Sequence, residues 1–158
     1  MRARRPRLPS GSYHDGLGCL LTVCTAQRSA VFVDREAVAL VWWQIARAAT
    51  ANGVAIPAYC FMPDHLHMLA EAGSSGCDFE RFVKQAKQLS GYYYKQRFGT
   101  ALWQPSWHDR VLRRGDDRTA ALRYVLENPL RSGLVTCLGD YPFIGSGVVS
   151  REALLASI

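Results

Sequence analysis

Apolar and polar positions alternate along the chain in a way that predicts four β-strands. Residues 18–25 and 54–61 are short apolar runs containing β-branched residues, and residues 65–71 form a third run, so each predicts a buried strand. The pair Pro63-Asp64 lies between the second and third runs, which predicts a hairpin. A weaker fourth strand is predicted within residues 103–112. The chain therefore carries enough strand signal for one antiparallel sheet.

Helical periodicity fills the intervals between these strands. Apolar residues recur at helical spacing over about residues 34–52, 78–97 and 118–127, and a last short helix is predicted at 152–157. Aspartates that can cap the three longer helices stand at their starts: Asp34, Asp78, and Asp116 or Asp117. Pro129 is expected to end the third helix at Asn128.

The predicted order of elements is β-α-β-β-α-β-α, which indicates an α+β fold. The first six elements match the ferredoxin-like (RRM-like) plan, an antiparallel sheet with helices on one face. The seventh is an extra C-terminal helix. The predicted domain organisation is a flexible basic arm over residues 1–15, one domain over 16–150 and a tail over 151–158.

Composition and charge narrow the class of protein. A chain of 158 residues that is 49% hydrophobic and 20% charged suits one globular domain and argues against disorder. The net charge of +6 makes a polyanionic partner plausible. The five cysteines form no C-x-x-C pair, and neither a signal peptide nor a membrane-spanning segment is expected. These features predict a cytoplasmic protein with no membrane partner.

The second predicted helix has one apolar and one basic face. We expect its core face to carry Phe82, Ala86, Leu89 and Tyr93 and its other face to be basic, with Lys84 and Lys87 among the exposed cations. Basic residues combined with the neighbouring tyrosines suit single-stranded nucleic acid. A solvated helix face with core tyrosines is the alternative, and we favour it for most of the tyrosines.

The segment His65-Leu66-His67 is the strongest chemical signal. Side chains two apart on a strand project from the same face, so the two imidazoles are expected to lie side by side. Such a pair forms half of a metal site. On its own, the pattern also suits a strand with two polar residues on a half-exposed face.

Tyr124 and Asn128 add a possible nucleophile and a possible third ligand. They lie four residues apart on the third helix, so both point the same way one turn apart. A packed tyrosine and a C-terminal asparagine would give the same spacing. Tyr92, Tyr93 and Tyr94 are rival nucleophiles, and Gln96 gives Tyr92 a weak imitation of the Tyr124–Asn128 pair.

Taken in order, these segments resemble one family. His65-Leu66-His67 after Met62-Pro63-Asp64 resembles the HUH motif of the single-tyrosine transposases. The later motifs resemble the REP-associated branch of that family, related to the IS200-like transposases: Trp103-Gln104, Asp109-Arg110-Val111-Leu112-Arg113, Tyr124 with Asn128-Pro129, Gly133-Leu134-Val135 and Tyr141-Pro142. The resemblance extends from about Gly18 to Gly147. The N-terminal arm departs from the family pattern.

The resemblance implies a metal-dependent DNA transesterase. His65, His67 and Asn128 would bind Mg²⁺ or Mn²⁺, and Tyr124 would attack a phosphodiester to leave a 5′-phosphotyrosine and a 3′-hydroxyl. The implied partner is single-stranded or hairpin DNA, bound by a monomer or homodimer associated with a bacterial nucleoid. The residues predicted to contact DNA are Lys84, Lys87, Arg110, Arg113 and Arg123.

Two other hypotheses stay open from the sequence. One is a non-catalytic nucleic-acid-binding module on a ferredoxin-like fold, which would need no metal. The other is a structural zinc protein in which Cys60 or Cys77 joins the histidines, although the spacing fits no common zinc pattern.

Overall fold

A computed structural model describes residues 18–73, 77–113 and 115–158, so the predicted arm 1–15 lies outside the described residues. The described strands and helices, in chain order, are β1 (Gly18–Cys24), α1 (Arg35–Ala51), β2 (Val54–Met62), β3 (His65–Ala72), α2 (Phe79–Phe98), β4 (His108–Leu112), α3 (Arg118–Leu126), α4 (Asn128–Arg131), β5 (Ile144–Gly145) and α5 (Arg151–Ala156). Two short 3₁₀ turns accompany them, at Ala26–Arg28 and Leu138–Asp140.

The strands form one antiparallel sheet in the order β4-β1-β3-β2-β5. The first four positions are those of a ferredoxin-like sheet, and β5 adds a short edge strand. The predicted α+β class with a ferredoxin-like sheet is confirmed.

Aspartates cap the three long helices as the sequence predicts. Asp34 accepts a hydrogen bond from the backbone N–H of Glu36, and Asp78 accepts one from that of Arg81. Asp117 accepts from the backbone N–H groups of Thr119 and Ala120, so it is the cap of α3. Its neighbour Asp116 instead accepts a hydrogen bond from the backbone N–H of Arg113, in the turn before the helix.

The sheet is covered on both faces. Helices α1 and α2 bury one face, where Leu66 and Met68 of β3 lie in the larger core. Helix α3, the chain after it and α5 cover the other face, where Leu69 of β3 lies in a second core. Because side chains alternate along β3, His65 and His67 project on the same face as Leu69, under α3.

A β-bulge in β2 lets that strand serve both cores. The pairing of β2 with β3 shifts register between Ala55 and Ala58, at Pro57. Ile56 therefore faces the first core and Ala58 the second, although residues two apart on a regular strand share a face. Proline has no N–H to donate, and a bulge is one of the few places in a sheet that accepts it.

Several sequence predictions need correction. Tyr94, not Tyr93, is buried on the core face of α2, while Tyr92 and Tyr93 are exposed. The chain does not leave helical structure at Asn128, because Pro129 occupies the first turn of α4, where its missing N–H costs nothing. The division into a domain over 16–150 and a tail over 151–158 stays a prediction, and Leu154 of α5 within that tail is buried in the second core.

Candidate active site

The two histidines of β3 face each other across a short gap. Their Nε2 atoms are 3.1 Å apart, and the rings meet edge to face with centroids 4.8 Å apart. This is the pairing expected for residues two apart on a strand, and it directs one nitrogen of each ring at the same point.

The opposite nitrogen of each ring has its own partner. His67 Nδ1 is 2.9 Å from Thr22 Oγ1, and the two residues are directly cross-strand neighbours on β3 and β1. His65 Nδ1 is 2.6 Å from Asp64 Oδ1. Partners of this kind fix the orientation of imidazoles that bind metals, and here they hold both rings with Nε2 facing the gap between them.

His67 is held in its neutral form. Burial lowers its pKa to about 4, and the positive charges of His65, Arg131 and Arg28 act in the same direction. A neutral imidazole is the form that binds a metal ion, and His67 has that form at neutral pH.

Asp64 connects the histidine pair to the end of β1. Its backbone carbonyl accepts hydrogen bonds from the Thr25 amide and from Thr25 Oγ1, and its Oδ2 is 2.9 Å from Arg28 Nε. Burial raises the pKa of Asp64, but the hydrogen bond with His65 and the charge of Arg28 outweigh it, and the pKa is lowered. The carboxylate is therefore ionised and held on both sides.

Helix α3 brings Tyr124 to the histidine pair. Val125 and Leu126 are fully buried in the second core, and Arg118 forms a two-bond ion pair with Glu71 of β3, so both ends of the helix are fixed on the sheet. The Tyr124 ring lies edge to face against the His67 ring, with centroids 5.9 Å apart, and 48% of the residue is exposed. A half-exposed phenol beside two imidazoles is accessible to a substrate.

Arg131 on α4 completes the surroundings of Tyr124. Its guanidinium lies 4.9 Å from the centre of the Tyr124 ring, and its Nη2 donates to the Tyr124 carbonyl. The site therefore has a positive charge beside the phenol, as well as the two histidines. Sequence reasoning missed Arg131, although it lies seven residues, about two helical turns, beyond Tyr124.

Asn128 lies one turn beyond Tyr124, at the start of α4. Its Nδ2 donates to the carbonyls of Tyr124 and Val125, which fixes the amide by its nitrogen. The oxygen is the atom that a cation would bind. The role of Asn128 as a third metal ligand beside the two histidines stays a prediction.

A cleft of about 510 Å³ opens beside Tyr124. It extends over the outer part of the sheet between β4 and α3. Its charged and histidine lining comprises His108, Asp109 and Arg110 of β4 and Asp116 and Asp117 before α3. Its apolar lining includes Leu20, Ala120 and Ala121. A cleft lined by both apolar and polar side chains suits a flat ring that carries hydrogen-bonding groups.

The residues predicted to contact DNA fall into two sets. Arg110 lines the cleft, Arg113 is exposed in the turn between β4 and α3, and Arg123 is exposed on α3. Lys84 and Lys87 belong to α2, which covers the opposite face. Lys84 pairs with Glu80, and the Lys87 ammonium binds the carbonyls of Gln104 and Ser106.

The rival nucleophiles lie away from the histidines. Tyr94 is buried in the core between the sheet and its helices, and Tyr92 and Tyr93 are exposed on α2. All three belong to the layer on the sheet face opposite to His65 and His67. Of the four tyrosines considered from the sequence, Tyr124 is the one in contact with the histidine pair.

The structure gives no support to the zinc hypothesis. Within residues 18–73, 77–113 and 115–158, no group of three or more His, Cys, Asp or Glu side chains is arranged to hold a metal ion. Cys60 lies opposite His67 on β2, and burial raises the pKa of its thiol to about 12, so without a metal ion the thiol is protonated at neutral pH.

Comparisons with known proteins agree with this architecture. The family model described as "Transposase IS200 like" matches residues 16–125. A curated relative from Haemophilus influenzae, which carries the name REP-associated tyrosine transposase, is 24% identical over 98 residues, covering 54% of this chain and 55% of that protein. The chain thus spans about half the length of the curated relative it matches.

Two solved structures have similar folds. A REP-associated tyrosine transposase bound to a REP hairpin superposes with a TM-score of 0.71 at 21% identity, covering 91% of this chain and 82% of that one. A protein from Deinococcus radiodurans described as a transposase superposes with a TM-score of 0.54 at 27% identity, covering 77% and 91% of the two chains.

Among the helices that the structure describes, none is both long enough and apolar enough to cross a membrane.

Proposed function

The chain belongs to the IS200-like transposase family, and from that premise we propose that it cleaves and rejoins single-stranded, hairpin-containing DNA through Tyr124. One observation carries the proposal. The Tyr124 ring lies 5.9 Å from the ring of His67, and both belong to the same chain. A nucleophile and a paired-histidine site therefore meet on one face of the sheet.

The histidine pair and Asn128 would hold a divalent cation, Mg²⁺ or Mn²⁺, through two Nε2 atoms and one amide oxygen. When bound, such a cation supplies a Lewis acid that polarises and positions the scissile phosphate. Thr22 and Asp64 prepare the two rings for this task by occupying their Nδ1 atoms.

Tyr124 carries the covalent step. Its Oη attacks the phosphorus, the bond from phosphorus to the 3′ oxygen breaks, and the phenolic proton leaves to water at this half-exposed position. The departing strand takes up a proton as a 3′-hydroxyl, and the other strand stays on Tyr124 as a 5′-phosphotyrosine. Attack by a 3′-hydroxyl reverses the step and rejoins DNA without another energy source.

Arg131 supports the same step from its position beside the ring. Its positive charge, 4.9 Å from the centre of the Tyr124 ring, favours the negative charge that develops on the phenol oxygen and the phosphate. The cleft between β4 and α3 offers a place for the nucleotide next to the scissile phosphate. Its apolar lining residues suit a base, and Arg110 among its lining residues suits the backbone.

A covalent-adduct assay tests the proposal. The wild-type chain and the Tyr124→Phe variant are incubated with a 3′-labelled hairpin oligonucleotide and Mn²⁺, and the products are separated under denaturing conditions. We expect a protein–DNA adduct from the wild type and none from Tyr124→Phe. Tyr92→Phe is the matched control, since Tyr92 is exposed on α2, and it should form adduct at the wild-type rate.

Adduct from Tyr124→Phe would contradict the proposal, as would its loss in Tyr92→Phe. Salt-sensitive binding of the hairpin without cleavage or metal dependence would instead support the non-catalytic binding module.

A further inference from the structure

The Asp64 carboxylate lies between a histidine and an arginine. One oxygen is 2.6 Å from His65 Nδ1, and the other is 2.9 Å from Arg28 Nε. A carboxylate can only accept hydrogen bonds, so the proton of this contact belongs to His65 Nδ1. Neutral His65 then keeps its lone pair on Nε2, the atom that faces His67.

Arg28 reaches Asp64 from an unusual stretch of backbone. Gln27 and Arg28 are consecutive residues with φ of 55° and 56°, and neither is glycine. A left-handed conformation is unfavourable for a residue other than glycine. Residues of this kind persist where the surrounding structure requires them and are frequent at functional sites.

A second contact fixes the guanidinium in place. Arg28 Nη1 donates to Cys24 Sγ at 2.7 Å, and Cys24 is the cross-strand neighbour of His65 on β1. The backbone of Asp64 is already held by Thr25. The contacts of Thr25 leave the Asp64 side chain free to rotate. The ion pair with Arg28 holds that side chain in the orientation that contacts His65.

We propose that Arg28 is a positioning residue of this site, acting through Asp64 to hold His65 in the tautomer and orientation that present Nε2 to a metal ion. This inference rests on the proposed function, because the metal ion that His65 would bind serves DNA cleavage there. The contacts themselves are independent of DNA. Arg28 does not need to touch the ion or the reacting atoms.

Three variants test the proposal. Arg28→Gly removes the guanidinium and relieves the backbone, so loss of folding is not expected. Gln27→Gly is the matched control, because it relieves the neighbouring residue and leaves Arg28 in place. Arg28→Lys keeps the charge but cannot bind Asp64 and Cys24 in the same forked geometry.

Two measurements are made without DNA. The tautomer of His65 is read from ¹⁵N chemical shifts of labelled, metal-free protein, and Mn²⁺ affinity is measured by electron paramagnetic resonance. We expect Arg28→Gly to show mixed tautomers and to bind Mn²⁺ about tenfold more weakly. Arg28→Lys should lie between it and the wild type, and Gln27→Gly should match the wild type.

Wild-type tautomer and Mn²⁺ affinity in Arg28→Gly would overturn the positioning role, as would equal losses in Gln27→Gly. If the wild-type chain forms no DNA adduct but the Arg28→Gly shifts appear, the proposed function fails and the role of Arg28 stands. If the wild-type chain forms adduct and Arg28→Gly is unchanged in both measurements, the proposed function stands and the positioning role of Arg28 fails.

Discussion

At the scale of single residues, the two histidines and Tyr124 are each in contact with a neighbouring side chain that orients them or adds charge. His67 is held by Thr22, His65 by Asp64, and Tyr124 lies against Arg131. None of these neighbours belongs to the His65-Leu66-His67 motif. The chemistry of the motif is therefore set by residues up to 66 positions away in the chain, counted from Arg131 to His65.

Replacing Arg131 separates its effect on the reaction from its effect on the metal. In Arg131→Met we expect adduct formation at saturating DNA to slow by about 10–100-fold, because the charge beside the Tyr124 phenol is lost. Mn²⁺ affinity should not fall, since Arg131 opposes positive charge at His67. Arg123→Met, at an exposed position of α3, is the control and should change DNA affinity without changing the saturated rate. Equal saturated rates for Arg131→Met and the wild type would contradict this.

At the scale of elements, α2 provides two lysines with different tasks. The Lys87 ammonium binds the carbonyls of Gln104 and Ser106, and it lies 5.6 Å from the centre of the Trp107 ring. It thereby attaches the segment before β4 to the helix. Lys84 forms only a helix-surface pair with Glu80 among the contacts described for it.

We therefore expect Lys87→Met to lower the free energy of unfolding by about 1–3 kcal/mol, since it leaves two carbonyls without their charged donor. Lys84→Met, one turn away on the same helix, should change it by about 0.5 kcal/mol or less. Urea denaturation of the two variants measures the difference. Equal midpoints with equal slopes would show that Lys87 has no such structural role.

Residues of helix α3 line the cleft, and a bulky side chain placed there tests whether the cleft binds a nucleotide. Ala120 lines the cleft one turn before Tyr124. In Ala120→Trp the indole should fill the space and weaken DNA binding about tenfold or more, a cost of at least about 1.4 kcal/mol. Thr119→Trp, at an exposed neighbouring position, is the control and should bind DNA as the wild type does. Unchanged DNA affinity in Ala120→Trp would exclude the cleft as a nucleotide site.

Most elements could be predicted because their signals are local. Asp34, Asp78 and Asp117 mark helix starts by their own hydrogen bonds, and the hairpin at Pro63-Asp64 follows from turn chemistry. The local sequence does not show which tyrosine of α2 faces the core, because Tyr92, Tyr93 and Tyr94 are adjacent and identical in type. Packing against Phe98 and the core selects Tyr94.

The site could be predicted only in part. Spacing brings His65 next to His67, and helical periodicity places Asn128 near Tyr124. The sequence does not show on which face of the sheet the two histidines lie. In the structure they lie on the face that α3 covers. Thr22 and Arg28 reach the site through strand pairing and a left-handed turn, and a single sequence gives no local sign of either contact.

At the scale of the whole molecule, the two layers that cover the sheet have different roles: one forms the main core and the other carries the candidate active site. Helices α1 and α2 build the main core on one face, and α3 and α4 bring Tyr124, Asn128 and Arg131 to the other. The basic helix α2 and the candidate active site are therefore on opposite faces. The proposed DNA contacts on the α3 side are Arg110, Arg113 and Arg123, and they are the better candidates to guide DNA into the cleft.

The contact between Tyr124 and His67 within one chain makes a specific prediction about assembly. If the site works as a unit of one chain, His67→Ala and Tyr124→Phe should each be inactive, and mixing them in equal amounts should not restore adduct formation. A dimer that exchanges α3 between chains behaves differently, because a mixed pair would contain one complete site. Random pairing would then return about a quarter of the wild-type sites.

The mixture is measured with the same hairpin and Mn²⁺ as the single variants, after prolonged incubation so that subunits can exchange. Wild-type protein diluted with His67→Ala is the control, and its activity should fall only in proportion to dilution. Recovery of adduct in the mixture would show that Tyr124 is supplied by a second copy. Val125 and Leu126 are fully buried beside Tyr124 in the same core as Leu69, so exchange of α3 requires them to leave one chain and pack in the other, which slows subunit exchange. The contact of Tyr124 with His67 of its own chain is the reason to expect catalysis within one chain.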